Sequence, residues 1–206
     1  MLQNRVDPFG QLIKTSAHGG WMGNRGILHD EQQHICRAYK STAWITCVLQ
    51  FKNRKRTVMA PGRYTELFFL DEATAFSAGH RPCFECRRPA YQHFKSCWLA
   101  GNPQYGFTTE VSIQEIDKIL QQERINRKKE KITYEDTFGQ LPDGAFIVIK
   151  EQPCLVFRQA AYPWSPFGYG ASVAVSSDAT VMVLTPASII RAFQAGYMPE
   201  IILPGI

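Results

Sequence analysis

The period of the apolar positions changes several times along this chain, and each change marks an element. Residues 64–70 (YTELFFL) are a short aromatic and aliphatic run, the pattern of a buried strand. Asp71 is placed to cap a helix starting at Glu72, in which Ala73, Ala75 and Ala78 favour helical backbone. Gly79 stands where a left-handed residue closes that helix. Over residues 89–99, Tyr91, Phe94, Cys97 and Trp98 recur at helical spacing and predict one buried face, ended by Gly101-Asn102-Pro103. Residues 112–131 read as another helix. Ser112 and Glu115 match a capping box, and Ile113, Ile116, Ile119 and Leu120 make an apolar stripe. The basic end, ERINRKKEK, suits the negative end of a helix dipole.

Other stretches alternate as strands do. Residues 33–51 read as a hairpin turning at residues 40–43, with bulk from Ile35, Trp44, Ile45, Val48 and Phe51. Pairing Lys40 with Ala43 sets Cys36 opposite Cys47 on one face, and a slip of one residue separates them. Residues 1–30 look irregular, and Gly19, Gly20, Gly23 and Gly26 mark sharp turns or close backbone approach. Beyond Leu141, strands are expected over residues 145–150 and 154–158, with a turn at residues 151–153. AYPWSPFGYG reads as a proline- and aromatic-rich connection. Two more strands follow at residues 173–175 and 181–184, then a helix capped by Thr185, with Pro186 in its first turn and Gly196 at its close. Cys154, among apolar neighbours, reads as a buried thiol. The whole is an α+β fold in three segments. Residues 1–100 form a hairpin, strand and helix module with a glycine-rich start, 101–140 a helical connector, and 141–206 a β-rich unit with a terminal helix.

Composition narrows the class. At 206 residues, 45% apolar and 20% charged, the chain has the make-up of a globular protein. No apolar run approaches the roughly 20 residues of a membrane span. The first residues, MLQNRVDPFGQL, lack the apolar stretch of a signal peptide, so a cytoplasmic protein without a membrane partner is expected. Six cysteines are too few for a disulfide scaffold at this length, and metal ligation or burial explains them better. A net charge of +5 permits a polyanionic partner without requiring one.

The chemistry concentrates at Cys83-Phe84-Glu85-Cys86. Two thiolates three positions apart in a turn that opens into a helix can face one metal ion and supply half of a tetrahedral site. Thr42-Ala43-Trp44-Ile45-Thr46-Cys47, followed by LFFLDEATAFSAGHRPCFECRR, resembles the N-terminal zinc domain of Ada-type DNA repair proteins. There a hairpin strand delivers the first cysteine, and a strand and an Ala-rich helix lead to Ala-Gly-Phe-Arg-Pro-Cys-x-x-Cys. Here Ala78 to Cys86 repeats that motif, with His80 in the aromatic position. The resemblance covers about residues 33–90 and nothing beyond residue 100.

It implies a Zn²⁺ site built from Cys47, Cys83 and Cys86. The family carries a further cysteine four positions after the first, where this chain has Phe51. His29, arriving from the glycine-rich segment, is the favoured fourth ligand. Cys36 is the alternative, and His34 a third candidate. In that family a zinc-bound thiolate takes a methyl group from a DNA phosphotriester, and by position Cys47 is the corresponding catalytic candidate. Three readings follow. One is a zinc protein that binds DNA or RNA through Arg54, Lys55, Arg56, Arg81, Arg87 and Arg88, the cations that surround the motif. The second is an enzyme, either an alkyl-accepting thiolate at Cys47 or a hydrolase with an open zinc position. No HExxH motif supports the hydrolase, and Glu85 and His80 are its only nearby acid–base candidates. The third is a protein-interaction module with structural zinc and AYPWSPFGYG as an exposed contact.

Overall fold

Leu67–Phe69 forms a strand in the middle of a sheet whose other members come mostly from the glycine-rich start of the chain. The computed structural model describes residues 1–55 and 57–203. Strands β1 (Arg5–Val6), β2 (Leu12–Ile13), β3 (Trp21–Asn24), β4 (Ile45–Cys47), β5 (Leu67–Phe69) and β6 (Arg81–Pro82) make the first sheet, in the order β2-β1-β5-β3-β4-β6. The pairs β1–β5 and β4–β6 are parallel and the others antiparallel.

Here the expected hairpin over residues 33–51 is corrected. Of those residues only Ile45–Cys47 form a named strand, and its antiparallel partner is β3, with Met22 opposite Cys47. The glycines make this possible. A Cβ at Gly23 would lie 2.3 Å from the Ile45 carbonyl oxygen, so only a residue without one admits β4 at this spacing. A segment that reads as loop by composition is a strand by close approach.

Helix α1 (Glu72–Ser77) begins at Asp71, whose side chain accepts the Thr74 N–H at 2.8 Å. Its closing glycine, Gly79, has φ +85°, the left-handed conformation expected there. All six helical residues are buried, because α1 packs against β5 on one side and against the second sheet on the other. Its polar members are therefore all bonded. Thr74 donates to Asp71, Ser77 donates to the Pro8 carbonyl, and Glu72 accepts from Tyr197.

Helix α2 (Arg88–Gly101) buries Tyr91, Phe94, Cys97 and Trp98, the face its spacing predicts. Helix α3 (Ile113–Arg124) buries Ile116 and Leu120 but is shorter than expected. The Asn126 side chain accepts the N–H groups of Lys128 and Glu130 and turns residues 125–131 back in a tight loop. Ser112 makes no side-chain cap, and Glu115 pairs with Lys118 instead of closing a capping box.

The second sheet comprises β7 (Tyr134–Thr137), β8 (Phe146–Ile149), β9 (Gln152–Phe157), β10 (Ala160–Ser165), β11 (Gly168–Tyr169) and β12 (Thr180–Val183). It is antiparallel throughout, in the order β11-β10-β9-β8-β12-β7. Residues 161–170, expected as a connection, fall almost wholly in the β10–β11 hairpin. Pro163 pairs with Cys154 and accepts the Gly170 N–H, so its missing donor leaves the ladder intact. Val173 makes one isolated bridge, to Ala161. Helix α4 (Ala187–Gln194) closes through Gly196, but Thr185 does not cap it, because its hydroxyl accepts the Phe146 N–H. The structure is thus α+β, with four α-helices and two six-stranded sheets among the described residues.

The cores draw on all parts of the chain. Phe76 of α1, Phe94 and Trp98 of α2, Ile116 and Leu120 of α3, and Ile189 and Phe193 of α4 form one cluster. Ala73 joins Phe146, Leu155, Trp164 and Leu184 in another. No described helix is long and apolar enough to cross a membrane.

Candidate metal centre

Two register relationships bring the thiols together. Strand β6 runs parallel to β4 with Thr46 beside Pro82, and the Cys83 N–H donates to the Thr46 carbonyl at 2.9 Å. The next residue on each strand is then Cys47 and Cys83. The chain turns at once, with the Glu85 N–H donating to Cys83 Sγ at 3.4 Å and the Arg87 N–H to the Cys83 carbonyl at 3.1 Å. This turn swings Cys86 back toward Cys83 before α2 starts. The Sγ atoms of Cys47, Cys83 and Cys86 all lie within 4.8 Å of one another. Met22 packs against Cys47 and Cys83, and Ile45 and Phe68 lie at the edge of the cluster.

The electrostatics of the three thiols conflict. Cys83 falls to about 5, held down first by a hydrogen bond from Cys47 and then by the N–H groups of Cys86 and Glu85. Cys47 is pushed far up by that same bond, by burial and by the charges of its neighbours. Cys86 is pushed up by burial and by the Cys83 charge, against a hydrogen bond from the Val48 N–H. Three thiolates this close repel, so without a cation the negative charge collects on one sulfur. A cation bound among them removes the conflict, and soft sulfur donors select zinc and similar metals.

The fourth-ligand candidates lie elsewhere. His29 is buried, with Nδ1 2.6 Å from Thr65 Oγ1 and Nε2 3.3 Å from the Ala60 carbonyl oxygen. Both its ring nitrogens are occupied away from the sulfurs. Cys36 is exposed, its thiol on the His34 carbonyl, and His34 sits beside Asp30. The physical reason is the strand partner. Because β4 pairs with β3, Cys36 never comes opposite Cys47. Among the described residues no fourth His, Cys, Asp or Glu joins the three sulfurs.

The six basic candidates divide. Arg81 is buried and makes a two-pronged pair with Asp117, at 2.8 and 2.7 Å. Arg87 is buried as well, 2.6 Å from Glu72 and 2.8 Å from Thr46 Oγ1, with its guanidinium 3.9 Å from the Trp21 ring centre. Their placement as phosphate-contacting cations is thus corrected: both are internal cations that hold the turn. Arg54, Lys55 and Arg88 are exposed. Arg54 reaches Glu85 at 2.5 Å, and Arg88 lies over the exposed Phe84 ring at 5.0 Å. Arg56 lies outside the described residues.

Met22, Glu72 and Trp21 belong to this neighbourhood without having stood out in the sequence. The helix start at Glu72 was visible, but nothing local showed that its carboxylate meets Arg87. No protein-family model, curated protein or solved structure matches the chain. The Ada-type resemblance therefore rests on the residues quoted for it.

Proposed function

We propose that the protein binds zinc through Cys47, Cys83 and Cys86, and that the face around this centre binds nucleic acid. The convergence of three sulfurs from two separate segments carries the first half. Thiolate donors fit zinc, and the crowding of the three thiols is relieved by a divalent cation. Zinc would hold all three sulfurs ionised and pin β4 to the turn that begins α2. Binding of this kind contributes on the order of 10 kcal/mol to folding in small zinc units.

The second half rests on what the turn displays. Phe84, within the Cys83–Cys86 turn, is 52% exposed, and Arg88 stacks over it. Arg54 joins this strip through Glu85 and lies 5.3 Å from the Phe51 ring, which Lys52 also approaches. An exposed ring and a half-buried one interleaved with cations suit single-stranded nucleic acid, where bases stack and cations follow the phosphates. A gel shift against single-stranded DNA and RNA at rising salt tests this. Phe84→Ala and Arg88→Ala should each weaken binding about tenfold, in line with loss of one stacking contact. Equal binding by the double variant, or no binding at low salt, refutes it.

A second reading is kept by one observation. Three sulfurs without a fourth protein ligand among the described residues leave a coordination position for an exogenous group, as catalytic zinc sites do. Cys47 as an alkyl acceptor belongs to that reading. Its 7% exposure counts against it, since the thiol must meet a phosphotriester.

A further inference from the structure

A second concentration of charge lies at the other end of β4. Trp44 precedes the strand and is covered by two guanidinium groups, Arg25 at 3.8 Å and Arg124 at 4.0 Å from its ring centre. Arg25 and Arg124 are both buried, and Lys131 joins them by donating to the Ser77 carbonyl. All three line one cavity of about 440 Å³. Its apolar wall includes Phe9, Leu12 and Ile35, and the exposed Arg37 and Lys129 stand at its opening.

The carboxylates nearby, Asp7 and Asp117, answer these charges from a distance and not by contact. Among the described residues, none lies within 4.0 Å of Arg25, Arg124 or Lys131. Asp7 faces Arg25 and Lys131 but accepts the Gln11 N–H, and Asp117 is taken by both arms of Arg81. Glu130 at the opening accepts from Asn126. Arg124 is held by the carbonyls of Gly79 and Thr42 and by Gln121, and Arg25 donates to the Gly10 carbonyl and to His80. Arg25 Nη2 is fully buried and has no hydrogen-bond partner. Burial, with the neighbouring cations adding, lowers Lys131 to about 7; burial lowers Arg25 to about 9. Buried cations with no carboxylate in contact are costly to a fold, and such groups collected in a cavity are the pattern of an anion-binding site.

We propose that this cavity binds a phosphomonoester, its phosphate toward Arg25 and Lys131 in the field of Arg124 and its organic part against Phe9, Leu12 and Ile35. A guanidinium group with an unpartnered N–H beside an ammonium group matches the oxygens of a phosphate. The volume falls in the ordinary range of small-molecule sites and exceeds what inorganic phosphate fills. The phosphate could belong to a free nucleotide-sized molecule or to the end of a nucleic-acid strand. The site shares no residue with the three thiols, so it stands whether or not they hold zinc.

Calorimetric titration of the full chain at constant ionic strength tests it, with adenosine monophosphate, a 5′-phosphorylated trinucleotide and inorganic phosphate as probes. Adenosine and the 5′-hydroxyl trinucleotide are the controls. A phosphorylated probe should bind at least about tenfold tighter than its control, the scale of a lost charge-assisted contact. Lys131→Met keeps the buried stem, removes the charge and should weaken binding about tenfold. Arg37→Ala with Lys129→Ala, at exposed positions that leave the core untouched, should weaken it about threefold through the local field. Binding of adenosine monophosphate alone assigns a free organic phosphate, and binding of the trinucleotide alone assigns a strand end. Binding of inorganic phosphate only, binding of no probe, or full affinity in both variants overturns the proposal.

Discussion

Arg87 and Glu72 form a buried ion pair at 2.6 Å that joins the cysteine turn to the first residue of α1. Glu72 also accepts the Tyr197 hydroxyl at 2.7 Å and the Glu200 N–H at 3.0 Å, so the turn is tied to the C-terminal part of the chain. Removing one partner of such a pair strands a buried charge. Glu72→Gln should therefore cost about 3 kcal/mol in urea unfolding, near the lower bound for a broken buried pair. The exposed pair Lys118–Glu115 is the control, and Glu115→Gln should change stability by no more than about 0.5 kcal/mol.

Ligand variants separate the cysteines by role. Cys47→Ser, Cys83→Ser and Cys86→Ser should each lose most bound zinc by elemental analysis and lower the melting temperature. His29→Ala and Cys36→Ser should keep it, because neither side chain reaches the sulfur cluster. His29→Ala should still cost about 1 kcal/mol through its lost hydrogen bond with Thr65. Retention of metal by Cys47→Ser would mean that the first cysteine is only buried.

The strand spacing at Gly23 gives a steric prediction. An alanine there places its Cβ 2.3 Å from backbone oxygen of β4, which cannot move without shifting Cys47. Gly23→Ala should destabilise by about 3 kcal/mol, the upper part of the overpacking range, and weaken zinc retention as well. Thermal unfolding with metal analysis measures both. A neutral result would exclude the β3–β4 pairing.

Lys131 makes a prediction in pH. Its value falls from 10.5 to about 7 because burial and the nearby Arg25 and Arg124 oppose its charge. Below pH 7 the amine is charged in both states and the penalty is full. Between about 7 and 10.5 the unfolded chain holds a proton that the fold has released, so stability rises with pH through that window. Lys131→Met should exceed the parent in stability most at pH 6, and the gap should close toward pH 10. Urea titrations of both proteins across that range measure it, and a gap constant with pH would contradict it.

How far these features were legible in the sequence depended on how local their causes are. Asp71, Gly79 and the buried face of α2 follow from neighbours a few residues away, and each is as its residues indicate. Cys83 and Cys86 were legible for the same reason. The partner of β4 was not, because it depends on Gly23 admitting a strand that composition alone presents as a loop. That pairing also kept Cys36 from Cys47, while His29 is held by Thr65 and Ala60. Arg81 and Arg87 read as surface cations until Asp117 and Glu72 are found beside them in space. The β10–β11 hairpin was hidden by Pro163, which sits where the ladder needs only its carbonyl.

Zinc binding as proposed requires Cys47, Cys83 and Cys86 to hold one metal ion together. Zinc-edge X-ray absorption of protein purified without chelator tests it most directly. The expected result is about one zinc per chain with three sulfur neighbours at ~2.3 Å and one lighter donor. Protein without zinc, or zinc with fewer than three sulfur neighbours, would contradict it.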